Sequence, residues 1–245
     1  MRKLILVLFT VASINVFAQG KTLYHVEMVK PKIGQVTAFE SAWKAHVAKF
    51  HKDDKRQVFE IMTGDRAGYY QLVDGPSSYA DMDVERKDSK AHDLDYETTV
   101  APKVEYQSGD YVYRFADTLS YNGNVQADKY SYSVYNVKLG KMPDLVAEVK
   151  RSMAVNTSIG SQNSSNAYFQ LFAGSAPQLV LISNLKDGFK QLEQNYFAGM
   201  TDKFREAYIK MYSQQQWDKR STLLSEITTS YENYLGKRRA DLSSK

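Results

Sequence analysis

All four histidines of the chain, His25, His46, His51 and His92, fall between positions 25 and 92. Imidazole is the side chain whose ordinary pKa lets it serve as acid, base or metal ligand near neutrality. His25 stands two residues before Glu27 on a stretch that alternates like a strand, so the two share a face. Together with Glu60 they are the residue types of an acid/base or metal cluster. His-x-His, His-x-x-x-His and His-Glu-x-x-His spacings are all absent, so the expectation is no metal and no cofactor. His46 shares a helical face with Trp43 and Phe50, where a lone histidine is ordinarily a core residue. Gly64-Asp65-Arg66-Ala67-Gly68 lacks the pattern of a phosphate-binding loop and reads as a hairpin turn.

The elements that must position these residues occur twice. Val58-Phe59-Glu60-Ile61-Met62-Thr63-Gly64 returns as Tyr168-Phe169-Gln170-Leu171-Phe172-Ala173-Gly174, at a constant offset of 110 residues. A strand over 23–30 has its counterpart at 130–138. Each leads through a turn glycine, Gly34 or Gly140, into an amphipathic helix. The apolar face is Phe39, Trp43, Val47 and Phe50 in the first copy and Leu145, Val149 and Met153 in the second. After the shared strand comes a hairpin partner, 69–73 or 179–183. A second helix then starts near Gly75-Pro76-Ser77-Ser78 with Tyr79 and Met82, matched by Phe189 and Leu192. Both copies close alike, Arg114 to Ser120 against Arg239 to Ser243. They diverge before that point, where the second has a long helical stretch over 200–227. The expected divisions are a leader at 1–18, repeats at 19–122 and 130–245, and a turn-rich link at 123–129.

The order β, α, β, β, α, β in tandem, with a glycine after each first strand, is similar to the dimeric α/β-barrel, or ferredoxin-like, superfamily, which includes antibiotic-biosynthesis-monooxygenase-like and NIPSNAP-like domains. The fold class that follows is α+β: tandem ferredoxin-like repeats whose two antiparallel four-stranded sheets pack as an internal pseudo-dimeric α/β barrel with helices outside. Alternation then turns Phe59, Ile61, Phe169 and Leu171 toward the helices, and Glu60 and Gln170, joined by Gln71, into the barrel. The resemblance implies a small ligand between the sheets or between sheet and helices, and a cofactor-free oxygenase or a haem-handling protein as the enzymatic possibilities. Residue types for the first are Trp43, His46 and Asn136; an axial ligand for the second would be His46 or His51. The candidate catalytic residues are therefore His25, His46 and Glu60, and the candidate ligand-binding residues Trp43, Glu60, Gln71, Asn136 and Gln170.

Met1-Arg2-Lys3, an apolar run from Leu4 to Ile14 and the small-x-small pattern Val16-Phe17-Ala18 have the composition of a secretory leader cleaved after Ala18. Its removal takes Arg2 and Lys3 away and lowers the formal charge from +4 to +2. So balanced a charge argues against nucleic acid as a partner. With no cysteine there is neither a disulfide nor a lipid-attachment residue. The sequence thus predicts a periplasmic or secreted protein, free of the membrane once cleaved, monomeric or weakly self-associating. Its expected role is to bind a small apolar or aromatic molecule. The alternatives are a cofactor-independent monooxygenase working in the first repeat and a non-catalytic interaction module.

Overall fold

The computed structural model describes residues 22–52, 55–84, 87–120, 127–160, 165–174 and 177–244; the leader expected at 1–18 and most of the link at 123–129 lie outside them. In chain order the elements are β1 (Leu23–Pro31), α1 (Val36–Phe50), β2 (Arg56–Ile61), β3 (Tyr70–Ser77), α2 (Tyr79–Met82), α3 (Ser89–Asp95), β4 (Val104–Gln107), β5 (Tyr111–Phe115), β6 (Lys129–Val137), α4 (Met142–Ser158), β7 (Ser165–Ala173), β8 (Gln178–Asn184), α5 (Gln194–Tyr212), α6 (Gln214–Ile227) and β9 (Thr228–Arg238). The helical stretch expected over 200–227 is two helices. Ser213, at a φ of 96°, breaks them apart, and its hydroxyl accepts from the Gln216 N–H to cap the second.

Eight strands close into one antiparallel barrel, in the order β1, β3, β2, β9, β6, β8, β7, β5 and back to β1. The short β4 lies beside β5 along the far end of β1. This corrects the expected pair of four-stranded sheets stacked in tandem ferredoxin-like repeats. Two such sheets would expose four unpaired edges, on β2, β5, β7 and β9, and each unpaired backbone row is unfavourable. Here the edges hydrogen-bond across two seams. Phe59, Glu60 and Ile61 of β2 face Arg238, Lys237 and Gly236 of β9, and Tyr113, Arg114 and Phe115 of β5 face Leu171, Gln170 and Phe169 of β7. At the first seam position 236 has to be glycine, since a Cβ would overlap the Tyr130 ring and stand 2.8 Å from the Glu60 carbonyl.

Closure divides the apolar residues among three cores. The barrel interior holds Ile61, Tyr113, Tyr130, Tyr132, Val134, Val180 and Tyr234, with Phe59, Phe169 and Leu171 packed against them. Outside, α1 covers Val29, Val58 and Leu72 with Phe39, Trp43 and Val47, and α4 covers Val137 and Leu179 with Leu145 and Val149. The face assignment from alternation is therefore reversed on β2 and β7. Phe59, Ile61, Phe169 and Leu171 point into the barrel, whereas Glu60 points out and pairs with Arg239 at 2.9 Å and Lys237 at 3.0 Å. Both faces of a barrel strand are covered, so a period of two pairs positions without saying which pair is inside. Lys237 and Arg239, consecutive basic residues of one face at the end of β9, are the partners of that carboxylate.

The helix layers are completed crosswise. The turn Asp117–Leu119, after β5, places Leu119 under α4. The turn Ala240–Leu242, after β9, places Leu242 under α1, where its carbonyl accepts from Trp43 Nε1 at 3.1 Å. Leu242→Ala should lower unfolding free energy by about 2–5 kcal/mol through the cavity it leaves. Ile33→Ala, at a 93% exposed position, should stay within about 0.5 kcal/mol. Urea denaturation of both variants measures the difference.

Candidate functional site

Of the hollows among the described residues that combine space with polar groups, two lie on opposite faces of the β1–β3 wall. Inside lies a cavity of about 120 Å³ walled by Tyr24, Val26, Phe59, Tyr113, Tyr130, Tyr132, Phe169, Val180 and Ile182. Its amides are those of Gln57 and Gln71; Gln71 is 4% exposed and its side chain hydrogen-bonds the Tyr132 hydroxyl. Gln71 lies opposite Phe59 across the β2–β3 ladder and so shares its inward face. Burial pushes the Tyr132 phenol up to about 12 and raises those of Tyr113 and Tyr130 as well. These hydroxyls remain protonated and can donate to a ligand, but none is a phenolate base at neutral pH.

Outside, a polar cleft of about 410 Å³ separates the β1–β3 wall from α3. Its wall residues His25 and Glu27 alternate with the inward Tyr24 and Val26. His25 Nδ1 bonds Asp110 Oδ2 at 2.7 Å, Gln107 donates to Glu27 at 3.1 Å, and Arg56 pairs with Asp74. Burial raises the Glu27 pKa above the usual carboxylate range.

At the back of this cleft three imidazoles converge. His46 comes from the buried face of α1, one turn after Trp43. His51 follows the end of that helix. Five residues along an unbroken helix would carry it about 140° away, but the helix stops at Phe50 and the backbone turns at φ −121°, ψ 32°. His92 comes from α3, which widens into a π-helical turn at Tyr96–Val100. His92 Nε2 lies 3.2 Å from His46 Nε2 and 3.2 Å from His51 Nε2. His46 and His51 are 1% and 0% exposed. Behind them, Asp95 Oδ2 is 2.9 Å from His46 Nδ1 and Asp93 Oδ1 is 2.9 Å from His92 Nδ1. Lys49, and after it His46, holds the Asp95 carboxyl below its ordinary pKa. Among the described residues this is the one group of three or more metal-ligating side chains whose donor atoms converge closely enough to share an ion.

The structure scatters most of the residues singled out from the sequence. His25 and His46 line the same outer cleft. Glu60 is outside the barrel and bound into the Arg239 network. Trp43 is a core residue under α1, and Gln170 is exposed on the outer face. Asn136 stands at one end of β6, bonded to Gln178, Ser230 and Glu232. Only Gln71 reaches the interior cavity. His51 enters the sequence reading only as an alternative axial ligand and His92 in no site role, because neither has a helical or strand spacing to His46; Asp93 and Asp95, adjacent to His92 and three residues beyond it, are the available signal. A haem does not fit these residues. It needs an imidazole facing an open planar slot, whereas His46 faces His92 and is packed by the rings of Phe50 and Tyr96 at 5.1 and 5.8 Å.

No protein-family model matches the chain, and no curated protein is significantly similar to it in sequence. Solved structures do share its fold. A chlorite dismutase from Candidatus Nitrospira defluvii superposes with a TM-score of 0.51 at 8% identity, covering 89% of this chain and 92% of that one. An anthrone oxidase-like protein gives 0.51 at 7%, covering 90% and 92%. A candidate monooxygenase from Fusobacterium nucleatum gives 0.50 at 14%, covering 88% and 91%. At such identities the likeness establishes the α/β-barrel fold of these proteins and nothing of their chemistry.

The Asp110 hydrogen bond, against the opposing effect of burial, raises the pKa of His25 above its ordinary 6.5. The protonated ring is thus favoured by folding, and that contribution is full below pH 6.5 and is lost as pH rises through the raised value. Asp110→Asn should move the His25 midpoint downward, as read from its imidazole proton resonances in an NMR titration.

Proposed function

We propose that this protein is exported and binds a small apolar or aromatic molecule inside the barrel. The observation that carries the reading is the partly open cavity of about 120 Å³, ringed mainly by aromatic and branched apolar side chains with the amides of Gln57 and Gln71 as polar contacts. Engineered apolar cavities of about 150 Å³ admit benzene-sized molecules, so the ligand class is a single aromatic ring or a short branched hydrocarbon, with at most one group for Gln71 or Tyr132 to recognise. The phenols of Tyr113, Tyr130 and Tyr132 stay protonated, which suits them to orienting such a molecule by hydrogen bonds. The fold of the oxidase-like and monooxygenase-like structures is compatible with turnover of a molecule held there, and export follows from the composition of residues 1–18.

A panel of phenol, benzene and toluene should bind at one equivalent by calorimetry. Val180→Trp, which fills the cavity, should abolish that binding while circular dichroism and barrel stability are retained. Binding that survives Val180→Trp, or no binding across the panel and in native mass spectra of protein taken from its own cells, overturns the reading. Oxygen uptake with a bound aromatic would identify the protein as an enzyme acting on its ligand. Protein recovered from those cells should begin at Gln19.

A further inference from the structure

We propose that His46, His51 and His92 bind one divalent first-row transition-metal ion, with zinc the best fit, and that the ion's free coordination position opens on the polar cleft beneath α3. The spacing is that of a ligand set. Nitrogens held by a tetrahedral zinc at roughly 2.0–2.1 Å stand about 3.3 Å from one another; His92 Nε2 is 3.2 Å from each of the other two Nε2 atoms. All three donor atoms lie within 4.8 Å of one another, so a modest ring rotation bringing His46 and His51 together completes the triangle.

Proton placement makes the same point independently. An ionised carboxylate only accepts hydrogen bonds. Asp95 therefore requires a proton on His46 Nδ1, and Asp93 requires one on His92 Nδ1. In the neutral rings both Nε2 atoms then carry bare lone pairs, and these face each other at 3.2 Å. Two acceptors at that distance repel unless a cation sits between them, and the choice is a proton or a metal ion. A single proton can bridge only one pair of nitrogens, whereas His92 Nε2 stands 3.2 Å from both its neighbours, so that one metal ion can meet all three lone pairs. Carboxylates behind the imidazoles, fixing the tautomer and aiming the second nitrogen, are the outer shell that metal-bound histidines ordinarily have.

The donor set selects the metal. Three neutral imidazoles in a chain without cysteine suit zinc, copper or nickel and not calcium or magnesium, which demand oxygen ligands. His46 and His92 reach the cleft wall alongside Glu27, Arg56 and Tyr96. A site with three protein ligands and a fourth position facing a cleft is of the type that takes water or substrate, not of the closed structural type. It lies on the outer face of the barrel wall and does not depend on a ligand inside.

The full chain, stripped with a chelator and titrated with Zn²⁺ by calorimetry, should take up one equivalent at micromolar or tighter affinity, with a rise in melting temperature. Co²⁺ should give the intense visible bands of a tetrahedral site. His46 and His51 are core residues, so the discriminating variants are His92→Gln, whose side chain is 18% exposed, and Asp95→Asn. The first should weaken Zn²⁺ binding at least 100-fold and the second about 10–100-fold, both with unchanged circular dichroism. Less than one equivalent bound by the folded wild-type chain, an octahedral cobalt spectrum, or unchanged affinity in His92→Gln would overturn the proposal.

Discussion

The fold depends on the hydrogen-bonded closure of the barrel at two seams, β2 to β9 and β5 to β7. Without it four strand edges would be open, and the interior aromatics would lie on one face of an exposed sheet. With it, each strand has two covered faces, and each side chain is committed either to the interior or to the helix layer. The ion pairs around Arg239 follow from the same constraint. Glu60 is pushed to the outer face at the first seam, and Arg239, just beyond the end of β9, lies close enough to join it to Glu40 and Asp241. A charge that looks misplaced in a strand is thereby one tie between the two halves of the chain.

Much of the element order could be read directly. The glycine-to-anchor spacing, the apolar face of α1 and the repeated strand motif all describe local structure, and local structure follows periodicity. The closure did not show, because a seam between β2 and β9 joins segments about 175 residues apart and leaves no period in either. The same limit explains the inverted faces. Phe59 and Val58 are both apolar because both sides of β2 are buried, and only the packing of the whole barrel decides which side receives Glu60. The histidine cluster was hidden for a further reason. His46 looked like a core histidine and is one, but what surrounds it arrives from the end of its own helix and from α3, in the segment where the two halves of the sequence diverge.

That divergence has a physical counterpart in the two helix layers. Under α4, the buried polar group is Glu148, held by Arg151 at 3.0 Å, Arg220 at 2.9 Å and the Tyr208 hydroxyl at 2.8 Å. It is a charge fully met by its neighbours and locks α4 to α5 and α6. Beneath α1 the buried polar groups are instead the imidazoles of His46 and His51, with Asp95 behind the first and His92 Nε2 3.2 Å from each. One layer resolves its electrostatics within the chain. The other leaves a concentration of donors aimed at a common point, beside a cleft that solvent can enter.

The crosswise placement of Leu119 and Leu242 also sets when the molecule can become itself. Trp43 finds its hydrogen-bond acceptor 199 residues away, so the apolar floor of α1 is missing until the segment after β9 has been synthesised. A nascent chain exposing residues 22–120 alone can form the β1–β3 and β2–β3 ladders, but it holds an uncorked core and two open edges. Contacts of such long sequence separation form late and slowly. Completion of the floor of α1 therefore follows synthesis of the whole chain, whereas His46, His51 and His92 meet one another, Asp93 and Asp95 wholly within residues 46–95.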